Sequence, residues 1–213
     1  MGTIKQGILG GFSGKVGTVI GSFWKGKAYM RGLTQSYHDA KTQTQLAQRA
    51  KFSLMSKFIS LVQGVAAIGF KDAENGTTAL NEALSYNIRN AITGTYPSFA
   101  VDYANVLVSM GPLPNVEAPA ANDDGAGHLE VTWTDNTGDG DTTGDDPVMI
   151  LIYNSDKDVA RSIEAAAKRG DQTFTFTNPT AWSADTVHVY VAAKSVKDST
   201  TSRSEYLGTV ILS

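Results

Sequence analysis

The sequence predicts two parts of different class: an α+β N-terminal unit made of a β-hairpin plus two helices, followed by an all-β sandwich. Three observations carry this reading. The first 32 residues hold nine glycines set among large apolar side chains. From about Asp39 the apolar residues recur at three or four positions, and beyond Val116 they recur mostly at two. With 213 residues, 41% of them hydrophobic, the chain can bury one sizeable core or two small ones, and two domains of about 100 residues fit its length.

Residues Gly14 to Leu33 read as strands. Val16, Thr18 and Ile20 alternate with Gly17, Val19 and Gly21, and Lys25-Gly26 can turn the chain from Ser22-Phe23-Trp24 into Lys27-Ala28-Tyr29-Met30-Arg31. The glycines weaken register and shorten side chains, which suits close approach of another strand or chain. A first amphipathic helix starts near Asp39, with Ala47, Ala50, Leu54, Phe58, Leu61 and Val65 on one stripe, and ends between Gly64 and Gly69. A second starts at Thr77 or Thr78 and places Leu80, Ala83, Leu84, Asn87, Ile88, Ala91 and Ile92 on one side before Gly94. Val106-Leu107-Val108 then reads as a returning strand that closes at Gly111-Pro112-Leu113-Pro114, where two prolines mark a boundary. The expected domains are therefore 1–115, with a Gly-rich arm over 1–33, and 116–213.

Five strong strands follow: His128 to Thr134, Val148 to Tyr153, Thr173 to Phe176, Val187 to Ala192 and Leu207 to Leu212. Leu129-Glu130-Val131-Thr132-Trp133 as a Trp-bearing second strand, Ile150-Leu151-Ile152-Tyr153 as a third and Asp185 to Ala193 as a Tyr-containing sixth resemble the fibronectin type III branch of the immunoglobulin-like folds. Ser202-Arg203-Ser204-Glu205 before the last strand fits the same pattern. The resemblance implies an immunoglobulin-like sandwich and no activity. The arm, Met1 to Gly17 through Trp24-Lys25-Gly26, with Gln48-Arg49-Ala50-Lys51-Phe52 after it, is similar to an uncharacterised family of proteins of about this length, encoded in gut-type bacterial genomes and their phages. That resemblance implies a structural protein of phage or mobile-element type.

The net charge of −3 hides a split: eleven Lys/Arg against five acids through residue 115, and seven against sixteen beyond it. Two units with different surroundings, and head-to-tail attraction between copies, are simple uses for it. The absence of cysteine excludes a disulfide framework, a thiolate metal site and a cysteine nucleophile. Leu61 to Phe70, the longest apolar stretch, is far short of a membrane span. Glycine interrupts the apolar start before it reaches signal-peptide length, and Gln6 departs from the acylation pattern that Met1-Gly2 begins. The expectation is cytoplasmic synthesis, without a signal peptide, and incorporation into a virion or other large assembly.

The most suggestive polar cluster is the Gly-rich stretch Thr134 to Asp146, whose Asp135, Asp139, Asp141, Asp145 and Asp146 offer the hard oxygens that calcium takes. It lacks the terminal bidentate Glu and the regular spacing of the helix-loop-helix calcium site, so it reads first as a solvated acidic turn, with calcium the one cofactor to consider. Lys5, Lys15, Lys25, Lys27 and Arg31 alternate with Phe12, Phe23, Trp24 and Tyr29, a nucleic-acid footprint that is modest in a chain acidic overall. Gly7 to Lys15 fails the phosphate-loop spacing, and Val16 stands where its hydroxyl belongs. His38, His128 and His188 form no metal-spaced pair, and no nucleophile-base-orienter set can be assembled.

The function expected from these features is that of a non-enzymatic structural protein. Ile8, Leu9, Phe12, Val19, Phe23, Trp24 and Tyr29 of the arm would contact other copies or other virion or assembly proteins, and the sandwich would project outward. The alternative is a surface adhesion or carbohydrate-binding module in which Trp182 or Tyr153 stacks on sugar rings. A third reading is nucleic-acid association through the basic arm.

Overall fold

A computed structural model describes residues 2–4, 10–24, 26–34, 36, 39–71 and 76–213. The chain forms two compact units, Met1–Thr42 and Gln43–Ser213. The break thus falls at Thr42, not at Gly111-Pro112-Leu113-Pro114.

The first unit is an antiparallel meander of β1 (Thr3–Ile4), β2 (Phe12–Val16), β3 (Val19–Trp24) and β4 (Lys27–Gly32), paired in that order. The expected hairpin is present as β3 and β4, with Trp24 opposite Lys27. The alternation read over Val16 to Gly21 is interrupted, because Gly17, at φ 58°, opens a two-residue turn that sets Val16 opposite Val19. Ile8 and Leu9, Lys5, Lys25 and His38 lie outside the described residues.

In the second unit, α1 (Gln43–Leu61) and α2 (Gln63–Gly69) replace the single expected helix, and α3 (Ala79–Asn90) starts where the sequence places it, with Thr78 accepting from the Asn81 amide at 3.3 Å. The axes of α1 and α2 differ by 93°. The turn at Val62 carries α2 onto the sheet, where a Cβ at Gly64 would come within 2.8 Å of Ser162 and one at Gly69 within 2.5 Å of the Val108 carbonyl. Glycine at both positions permits that approach. A hairpin, β5 (Ile92–Thr95) and β6 (Ser98–Val101), follows α3.

Val106, Leu107 and Val108 are buried but pair with no strand. The Leu107 amide donates to Asn87 Oδ1 at 2.9 Å, Asn87 Nδ2 donates to the Leu107 carbonyl at 2.8 Å, and the Val108 amide donates to Ser204 Oγ at 3.0 Å. Side chains thus satisfy the backbone that a neighbouring strand was expected to satisfy.

Seven strands complete the unit: β7 (Glu117–Asp123), β8 (His128–Thr134), β9 (Pro147–Asn154), β10 (Val159–Lys168), β11 (Thr173–Thr177), β12 (Thr186–Ala193) and β13 (Glu205–Ile211). They form sheets of order β11-β8-β7 and β10-β9-β12-β13. The two sheets face each other across one core, where Leu129, Val131 and Trp133 meet Val148, Ile150, Ile152, Val187, Val189 and Val191. On the opposite side of β9 and β12, Met149, Leu151, Tyr153, Tyr190 and Ala192 share a second core with Met55, Phe58, Val62, Val65 and Ala83 of the helical part. This sharing is why the helices and the strands beyond residue 116 form one unit.

The chain is thus a mixed α+β protein with a large β-rich part. β7 and β10 add to the five strands expected. Their alanines, with Asn and Asp in β7 and Glu and Lys in β10, carry no strand preference, and both strands pair at sheet edges. No single helix among the described residues is long and apolar enough to cross a membrane.

Candidate assembly surface

The pairing register sorts the side chains of the arm sheet onto two faces. Gly14 lies opposite Gly21 and Val16 opposite Val19, while Gly21 faces Met30 and Phe23 faces Ala28. Paired residues project to the same side, so Val16, Val19, Phe23 and Met30 share an apolar face. The Phe12 ring lies on its glycine floor, where a Cβ at Gly21 would come within 2.6 Å of the ring. Phe12 is partly covered, whereas Val16 remains 52% exposed, Phe23 51% and Met30 71%.

The other face carries Lys15 opposite Ile20, Ile20 opposite Arg31, Ser22 opposite Tyr29 and Trp24 opposite Lys27. Its Lys15, Lys27, Arg31, Trp24 and Tyr29 are all exposed. Of the arm residues expected to make assembly contacts, Phe12, Val19 and Phe23 therefore lie on the apolar face and Trp24 and Tyr29 on the cationic one. Val16 joins the apolar face through the turn at Gly17, and Met30 through the β3–β4 register that sets it opposite Gly21.

The five aspartates of the expected calcium loop do not converge. Asp135 accepts from the Thr137 amide and hydroxyl at 2.9 and 2.5 Å, Asp145 pairs with Lys168 at 2.9 Å, and Asp139 and Asp141 are exposed. Asp146 is fully buried and accepts from the Thr143 amide, the Thr143 hydroxyl and the Val196 amide at 2.8, 2.7 and 3.2 Å. Burial pushes its carboxyl upward, but these hydrogen bonds and the nearby Arg169 charge outweigh that and leave it below the usual carboxylate value. Among the described residues no group of three or more His, Asp or Glu side chains is placed to hold a metal. Asp135 and Asp146 instead hold their own turns.

What organises this end of the unit is Arg169, which no sequence motif marks. Fully buried, it lies 3.5 Å from Asp146 and donates to the Pro114 and Asn115 carbonyls, each at 3.0 Å, and to Asn136 Oδ1 at 2.6 Å. Its own carbonyl accepts from the Trp133 indole at 2.8 Å. The guanidinium therefore ties the Pro114-Asn115 segment to the acidic loop, and the Arg169 carbonyl ties in the strand that precedes it.

The aromatic residues expected to stack on sugars are structural. Trp182 is 4% exposed, packed near Phe176 with the Arg161 guanidinium over its ring. Tyr153 is 3% exposed, meets Phe58 edge-on at 5.1 Å and donates to Asp158 at 2.6 Å. His188 stacks on Tyr103 at 3.9 Å and contacts the Tyr206 hydroxyl at 2.8 Å, and burial holds its imidazole below the ordinary value. His128 pairs with Asp124 at 2.9 Å on the surface.

The fold defines a two-unit α+β protein, one unit a small sheet with exposed apolar and cationic side chains and the other a well-packed α+β body. The chain belongs to a family of unknown function, DUF6266, whose pattern matches residues 11–208. No curated protein and no solved structure matches it.

Proposed function

We propose that the protein is a non-enzymatic structural component that assembles through its Met1–Thr42 unit with other copies of itself or with other proteins of a virion-type particle. The observation that carries this reading is the apolar face of Val16, Val19, Phe23 and Met30, each exposed among the described residues. Contiguous apolar surface of this kind marks an interaction site, because covering it releases water at about 25 cal/mol per Å². The virion setting rests on the likeness of the arm to phage-encoded proteins.

Residues 116–213 would form the displayed part, an immunoglobulin-like sandwich of the fibronectin type III kind. A three-stranded β11-β8-β7 sheet opposite a four-stranded β10-β9-β12-β13 sheet supports this. So do Trp133 in the second of the seven strands and Tyr190 in the sixth. The fold itself implies no chemistry.

The test is the native mass of the full-length protein beside that of Phe23→Asp and of a chain lacking residues 1–42. The expected result is a defined oligomer that Phe23→Asp and the truncation both reduce to monomer, while the 43–213 body keeps its thermal transition. An oligomer of unchanged mass in both variants would overturn the reading.

A further inference from the structure

The apolar face leaves the opposite face of the same sheet without a role. We propose that this second face, built from Lys15, Trp24, Lys27, Tyr29 and Arg31, binds single-stranded nucleic acid. The register puts all five on one side, and Lys27, Tyr29 and Arg31 alternate along the same strand. The Met1–Thr42 unit has six Lys/Arg against the single acid Asp39, so its field is uniformly attractive to phosphate.

The two aromatic rings decide the kind of polyanion. Trp24 lies opposite Lys27, two residues from Tyr29, so the two aromatic positions are diagonal neighbours separated by about 7–8 Å. They are 52% and 49% exposed; Lys27 lies opposite Trp24, and Lys27 and Arg31 flank Tyr29 on its own strand. Unpaired bases can stack on such rings while their phosphates meet Lys15, Lys27 and Arg31. The rival occupant is the body of a second copy, where twelve Lys/Arg face twenty acids over residues 43–213. Carboxylates would pair with the cations but leave both rings in water. A duplex keeps its base faces stacked internally and offers the rings nothing. Single strands use both rings and the three cations of this face, and the apolar face stays free for assembly.

The experiment is fluorescence anisotropy of a labelled oligothymidine 20-mer titrated with full-length protein, with a duplex of equal length as comparison. Three phosphate contacts correspond to a salt slope of about −2, so affinity should fall roughly 20-fold between 50 and 200 mM salt. Trp24→Ala should weaken binding about fivefold or more, and Trp24→Phe should retain it, which separates loss of stacking from loss of the sheet. Lys27→Glu with Arg31→Glu should abolish binding, whereas Val196→Ser, at an exposed position of the Gln43–Ser213 unit, should leave it unchanged. Absence of binding to the 20-mer, equal binding of duplex, or indifference to Trp24→Ala would overturn the proposal. So would a Lys27→Glu, Arg31→Glu chain that loses only its oligomeric mass, since that result assigns the face to a second copy.

Discussion

Two four-stranded antiparallel sheets in this chain have opposite fates. In the β10-β9-β12-β13 sheet, consecutive residues of β9 are buried on both sides: Leu151 lies against the helical part and Ile152 against the facing sheet, each with no exposed surface. In the arm sheet, the consecutive residues Phe23 and Trp24 point to opposite faces and each keeps about half of its surface in water. Both sheets satisfy their backbones by the same ladder. What separates them is cover, and the contrast shows that strand pairing makes a sheet while its neighbouring layers make it a core.

The largest expected effect lies at the end of the covered sheet, where Asp146 and Arg169 are buried together. Asp146→Ala leaves the guanidinium buried without its partner and should lower the unfolding free energy by about 3–5 kcal/mol in a denaturant titration. Next come the two faces of β9. Leu151→Ala and Ile152→Ala should each cost about 2–5 kcal/mol, because each opens a cavity in a different core. Phe23→Ala and Trp24→Ala, measured on monomeric protein, should stay within about ±0.5 kcal/mol. Similar losses in both sheets would dissolve the comparison.

The smallest effect is a pH slope. Burial holds the His188 imidazole below its ordinary value of 6.5, so the unfolded chain binds the proton more readily than the folded one. Stability is therefore fully present above pH 6.5 and falls as pH drops through that value toward the lower folded one. His188→Gln should flatten the slope in this window.

Much of the body was legible from local pattern. The strands at His128, Val148, Thr173, Val187 and Leu207 and the helix start at Thr78 are where periodicity and capping put them, because each signal resides in a few adjacent residues. The unbroken run Val148-Met149-Ile150-Leu151-Ile152-Tyr153 also held more information than a strand assignment used. An apolar side chain at every position, where β8 alternates, is the mark of a strand covered on both faces. It pointed to a layer on each side of β9, and hence to helices that belong with the sandwich.

Other features had no local signal. Arg169 stands between Lys168 and Gly170 like any surface residue, and only the convergence of the Pro114, Asn115 and Asn136 oxygens makes it a buried tie. Asp135 to Asp146 have the composition of a cation site, yet convergence on a point is a property of folded geometry. Val106-Leu107-Val108 has the residues of a strand, but Asn87 and Ser204 reach its backbone first.

The sequence by itself determined five strands of the body, the start of α3, and that the arm is too apolar and too cationic to be a plain linker, since composition and period are local quantities. Tertiary structure alone decided where the units divide, which carboxylates meet, and how the arm sorts its apolar and cationic groups onto opposite faces. Those outcomes depend on contacts between residues far apart in the chain and, in the arm, on the turns at Gly17 and Gly26 that set which residues stand opposite one another.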